Sequence, residues 1–173
     1  MQQTKVKIVL DADVVIHFAK GGMLSLLPGI FPECEMVLLD IVKREILPPI
    51  LGQLENQIAL LKNIKEVTFG DTTEQKREFA RLTSQLCLGR GESACMVYCR
   101  FNNDVVGSSN LRDITDYCDM FGITYLTTLD FLYYAIKRGK ISETEAYDFI
   151  TSVNQQGSIL PTVDFSQYIC NKM

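Results

Sequence analysis

At 173 residues the chain is long enough to bury one hydrophobic core, and its net charge of −4 excludes a protein that coats nucleic acid by bulk electrostatics. A composition of 47% hydrophobic and 22% charged residues excludes a disordered chain. No apolar stretch reaches the roughly 18 residues that a membrane span needs, because Asp11 and Asp13 interrupt the longest candidate.

The first expected element is a buried strand over 5–10 that carries Asp11 out at its C-terminal end, the edge of a parallel sheet where ligands bind. Asp11 and Asp13 each also suit the N-cap of a helix expected over 13–20. A helix is expected over 23–31 and a strand over 36–39. A longer helical stretch over 40–62, broken at Pro48-Pro49, would carry Glu45 on one face. A strand over 66–69 leads to a helix over 73–87, opened by a capping box of Thr72 and Gln75. The turn Leu88-Gly89-Arg90-Gly91 then starts a helix over 91–101 with Glu92 in its first turn. Beyond it come a strand over 105–107, a helix over 111–121 with Asn110 as N-cap, and a strand over 124–126. Helices over 129–138 and 143–155 follow, the second opened by a capping box of Ser142 and Glu145.

This alternation predicts an α/β fold with a mainly parallel sheet. Periodicity is lost near residue 156, so 1–155 reads as a single domain and 156–173 as a C-terminal tail or partner-contacting arm. The start of the chain lacks the long apolar region of a signal peptide, and the six cysteines contain no CxxC pair. Both point to a cytoplasmic protein with reduced thiols. Cys95 and Cys99 have helical i,i+4 spacing, but the single histidine, His17, is remote in sequence, so no zinc site is expected. His17 itself lies on an apolar helix face and reads as a core or boundary residue.

Metal-assisted hydrolysis of a phosphodiester needs carboxylates that converge from different elements, because hard cations take oxygen ligands and each carboxylate neutralises one charge. Asp11, Glu45 and Glu92 suit that demand. Each also has a plainer reading: a helix cap for Asp11, a solvated helix face for Glu45, and an acid favoured by the helix dipole for Glu92. Leu10-Asp11-Ala12-Asp13-Val14 in addition resembles the start of haloacid-dehalogenase-like phosphatases, in which Asp11 would be the nucleophile and Asp13 a general acid/base. That family's later lysine and paired acids are missing, and Glu45 and the turn before Glu92 are left without roles.

Four motifs in order carry a second resemblance: Ile8 to Ile16 around Asp11, Gly22-Met23-Leu24-Ser25-Leu26-Leu27-Pro28, Val42 to Leu47 with Glu45, and Leu88-Gly89-Arg90-Gly91-Glu92-Ser93-Ala94. Together with Phe121-Gly122-Ile123-Thr124, Thr127 to Leu132 and Arg138-Gly139-Lys140-Ile141, they resemble a PIN domain over about residues 5–141. Within that superfamily the chain is most similar to the toxin ribonucleases of bacterial toxin–antitoxin pairs.

The resemblance implies a three-layer α/β/α fold with a central parallel sheet and an endoribonuclease dependent on Mg2+ or Mn2+. Asp11 matches the first metal ligand, Glu45 the second acid and Glu92 the third. The family's next acid falls on Asn110, which offers an amide oxygen without charge, and Asp113 one helical turn on can substitute as a ligand or be part of a solvated face. Arg90, Arg112, Lys137, Arg138 and Lys140 would hold RNA phosphates. The implied partners are RNA, a cognate antitoxin and a second copy in a homodimer. Asn110 also supports an alternative: a PIN-like RNA- or protein-binding module with weak or no catalysis.

Overall fold

Short runs rich in Val, Ile and Leu pair into one five-stranded sheet in the computed structural model, which describes residues 5–173. The strands are β1 (Lys7–Leu10), β2 (Glu35–Leu39), β3 (Lys65–Val67), β4 (Val105–Gly107) and β5 (Tyr125–Leu126). Their order is β3-β2-β1-β4-β5, and every pairing is parallel. Ile8 pairs with Met36 on one side and Val105 on the other, which fixes the register of the central strand. Ile8, Val9 and Leu10 have no solvent exposure, as a strand covered on both faces requires.

Helices flank this sheet in two groups. In one, α5 (Thr73–Ser84), α6 (Arg90–Asn102) and α7 (Leu111–Phe121) pack side by side, with α3 (Asp40–Lys43) against α6. In the other, α1 (Ala12–Lys20) meets α4 (Ile50–Glu55), α8 (Thr128–Lys137) and α9 (Glu143–Gln155), and α2 (Leu27–Ile30) packs on α8. Helix α6 is apolar nearly all round and buried from Ser93 to Cys99, the pattern of a core helix. Phe131 of α8 meets Phe18 and Phe31 edge-on at ring separations of 6.0 and 5.8 Å, a favoured aromatic geometry.

Several expectations change. The stretch 40–62 divides into α3, α4 and a π-helical turn over Asn56–Leu60, because Pro48 and Pro49 lack N–H donors and disfavour helix in the residue before them. Glu45 therefore sits in the turn after α3, not on a helix face. The helix expected over 23–31 shrinks to Leu27–Ile30, where Pro28 suits a first turn and Gly29 weakens propagation. The Thr72 box is half made: Thr72 Oγ1 accepts from Gln75 N at 3.2 Å, but Gln75 Oε1 accepts from Asp71 N instead. The Ser142–Glu145 box is complete, and so is one that the sequence reading overlooked, Thr127 with Asp130.

After residue 156 there is no helix or strand, yet Leu160, Phe165 and Cys170 are buried. Tyr134 of α8 accepts from Met173 N at 2.9 Å, so this segment is fastened along α8. Among the described residues no helix is long and apolar enough to cross a membrane.

Candidate active site

The strand order reverses between β1 and β4, and in an open parallel sheet the crevice at that switch point, beyond the strand ends, is where ligands bind. Asp11 follows β1 and Ser108, Ser109 and Asn110 follow β4, so both sides of the crevice carry polar groups. The ladder continues through Asp11 N, which donates to Gly107 O at 2.8 Å. Asp11 is only 2% exposed. Its Oδ1 accepts from Ala12 N at 2.8 Å, making it the N-cap of α1, and its Oδ2 accepts from Ser108 Oγ at 3.0 Å. Asp13 ties the same two chain ends together, with Oδ1 accepting from Val14 N at 2.6 Å and Oδ2 from Ser109 N at 2.7 Å.

Gly91, in the first turn of α6, makes room for the other acids. A Cβ on Gly91 would lie 2.6 Å from Glu45 Oε2 and 3.0 Å from Asp11 Oδ1, so two carboxylates that are remote in sequence both close on this one backbone position. Glu92 folds back over Gly89, where a Cβ would collide with its carboxylate. Asn110 does not cap α7 with its side chain. Its Nδ2 donates to Glu92 Oε1 at 2.9 Å and to Asp113 Oδ2 at 3.0 Å, and these two charged acceptors orient the amide while Oδ1 makes no capping bond.

Among the described residues none of Asp11, Asp13, Glu45, Glu92 and Asp113 has an ion-pair partner. Burial, with Asp13 and Glu92 close by, holds the Asp11 carboxyl well above its ordinary range. Burial pushes Asp13 up to about 6 against the backbone donors of Ser109 and Val14. Glu45 is raised by burial and then by Glu92, with Arg90 opposing. Crowded carboxylates around a buried one take up either protons or a cation.

As they stand, the acids form separate pairs: Asp11 and Glu45 beside Gly91, and Glu92 and Asp113 joined by the Asn110 amide. Among the described residues no group of three or more His, Cys, Asp or Glu side chains is placed to hold a metal ion.

The basic residues divide. Arg90 is exposed in the first turn of α6, its guanidinium 5.3 Å from the Phe79 ring, and Arg112 is exposed at the start of α7. Both are near the crevice. Lys137 and Arg138 lie at the far end of α8: Arg138 donates to Glu33 at 2.6 and 2.9 Å and to Ile30 O at 2.8 Å, just before β2 begins. That is the opposite edge of the sheet, and a ten-residue helix separates it from the crevice by about 15 Å. Lys137 donates to Tyr133 Oη on its own helix.

No role in the metal site was predicted for Gly91, Ser108 or Ser109. The Ser-Ser pair between a strand and Asn110 was a usable signal, since hydroxyls at a strand end meet whatever lies across the switch point. His17 is buried and held neutral, its pKa lowered to about 4 by burial and then by Lys20. Its Nδ1 lies 2.9 Å from Thr128 Oγ1, which accepts from Ser109 Oγ at 2.9 Å, so His17 braces the crevice from behind.

Fold and site together define an α/β protein with an acidic crevice at the switch point of a parallel sheet. No family model matches the chain, and no curated protein matches it.

Proposed function

We propose that the protein is a PIN-like ribonuclease of the toxin type, with a three-layer α/β/α architecture, that hydrolyses RNA phosphodiester bonds slowly with Mg2+ or Mn2+. The observation that carries this reading is the approach of Asp11 and Glu45 to Gly91, with Glu92 next in the chain and, among the described residues, no cationic side chain paired to any of them. An all-oxygen donor set carrying uncompensated charge fits a hard divalent cation. Asp11, Glu92 and Asp113 would hold it, with Glu45 across the crevice. A cation there lowers the pKa of water and offsets phosphate charge. Asp11 is kept rigid by Ala12 N and Ser108 Oγ, and Arg90 and Arg112 flank the crevice where RNA phosphates would lie. Slow turnover follows from Asn110, which brings no charge of its own. A cytoplasmic location, a cognate antitoxin and a homodimer belong to the same proposal.

A second reading, RNA or protein binding with weak or no hydrolysis, is the one the side chains as they stand favour. The Asn110 amide bridges Glu92 and Asp113 by hydrogen bonds, and no three acids converge on one point among the described residues.

RNA cleavage with Mn2+ decides between them. Asp11→Asn and Glu92→Gln should each abolish cleavage with the circular dichroism spectrum unchanged, and Asn110→Asp should raise turnover about tenfold by supplying a further charged ligand to the cation, about 1.4 kcal/mol of barrier. Wild-type protein that retains RNA but cuts none with either cation establishes the binding reading instead.

A further inference from the structure

A cavity of about 360 Å³ lies between the end of β5, the start of α8 and the C-terminal segment. It adjoins the acidic crevice. Ser109 belongs to both, lining the cavity while its N–H donates to Asp13, and Leu111, also in the wall, directly follows Asn110. The remaining wall is largely apolar, with Leu129, Leu160 and Pro161, and its polar part is Thr127, the Asp130 carboxylate, Tyr168, and Tyr125 with the Lys172 ammonium 4.1 Å from its ring centroid. Lys172 pairs with Asp130 at 3.0 Å, but Asp130 also accepts from Thr127 N and Tyr168 Oη, both at 2.8 Å. Asp130 is therefore satisfied several times over. An ammonium has three N–H groups, and among the described residues Asp130 is the single hydrogen-bond acceptor of Lys172, which lines the cavity with donors left for a further acceptor.

Apolar walls, one aromatic face and one cation beside an anionic crevice match a nucleotide unit: a flat base for the walls and a phosphate for the ammonium. The volume agrees, since about 360 Å³ stands at the small end of the roughly 300–1,000 Å³ range of small-molecule pockets and is too small for a folded partner. We infer that this cavity is a subsite for the ribonucleotide next to the scissile phosphate, its base held against Tyr125 and Leu129 and its phosphate by Lys172. The inference rests on the ribonuclease reading for the word scissile, while binding of the nucleotide does not depend on cleavage.

The test is titration of the full chain with AMP and with UMP in the absence of divalent cation, followed by amide chemical shifts. The amides of Tyr125, Leu129 and Lys172 should move. Lys172→Gln should weaken binding about tenfold, Lys172→Arg should restore it, and Asp11→Asn should leave it in place. Ile159, 90% exposed on the cavity rim, supplies a variant that cannot harm the core: Ile159→Asp should also weaken binding by repelling phosphate. In RNA cleavage both weakening variants should raise KM with kcat unchanged. If neither nucleotide moves those amides, or if KM is indifferent to both variants, the subsite is refuted while the ribonuclease stands. If AMP or UMP binds here but no RNA is cut, the subsite stands and the ribonuclease falls.

Discussion

Asp11 and Asp130 are both buried aspartates near the start of a helix, 2% and 3% exposed, and the fold treats them in opposite ways. Burial pushes Asp130 upward, but Thr127 N, Tyr168 Oη and Lys172 outweigh it and hold the carboxyl below its ordinary value. Asp11 has one backbone donor and one hydroxyl, no cation, and carboxylate neighbours, and it is held well above. A carboxylate that serves architecture is surrounded by donors and a counter-charge drawn from the chain. One left short of both, at a sheet's switch point, is the kind of group that marks a candidate functional site.

The contrast is broken most decisively by paired substitutions. Asp130→Asn should lower the unfolding free energy by about 2–3 kcal/mol, because it strands Lys172 and loses charge-assisted bonds that fasten the C-terminal segment to α8. Asp11→Asn should cost less than about 1 kcal/mol: the amide oxygen still accepts from Ala12 N, and the Ser108 hydroxyl can reverse to accept from the amide nitrogen. Urea denaturation of the two variants measures both. Equal losses would show that Asp11 is architectural too.

Gly91→Ala sharpens the same comparison on a smaller scale. The helical backbone there accepts alanine, which is favoured over glycine by up to about 1 kcal/mol; the atom that must move is the mobile end of Glu45, while Asp11 Oδ1 at 3.0 Å has to give by only a few tenths of an ångström. Stability should hold or rise while RNA cleavage drops at least about tenfold as Glu45 is displaced. A parallel decline of both would mean that Gly91 serves packing alone.

Much of this was legible in the chain itself. An apolar run ended by an acid predicts Asp11 at a strand end, and a glycine turn before an apolar helix predicts Glu92 in its first turn, because both signals are local. Glu45 was found by residue type but placed on a helix, since the helical pattern runs on into two prolines that stop it early. Asn110 stands at the N-cap position as the local rule expects, but its amide is oriented by Nδ2 bonds to Glu92, 18 residues away, and to Asp113, and Oδ1 makes no cap. The Thr127–Asp130 box was readable; the Lys172 that pairs with Asp130 lies 42 residues beyond it, out of reach of any local pattern.

The smallest effect is in the pH dependence, and its sign separates the two kinds of buried group. Below about 4 Asp13 is protonated in both folded and unfolded chains. As pH rises from about 4 to about 6 the unfolded chain releases this proton while the folded one retains it, so stability falls through that window and levels off above it. Asp130 acts oppositely, its stabilisation present above the unfolded aspartate pKa and lost as pH falls through its lowered folded value. His17 also acts oppositely: the unfolded chain takes up its proton below about 6.5 and the folded chain only near 4, so its contribution shrinks as pH falls between those values. Asp13→Asn removes one of these slopes and leaves the others. Asparagine cannot accept from Ser109 N and Val14 N together as the carboxylate does, so the variant is less stable overall, and the readout is the slope. Between pH 4 and 6 its melting temperature should rise relative to wild type by roughly 2–4 °C. A difference that stays constant with pH would mean that Asp13 titrates alike in the folded and unfolded chains, its backbone donors fully offsetting its burial.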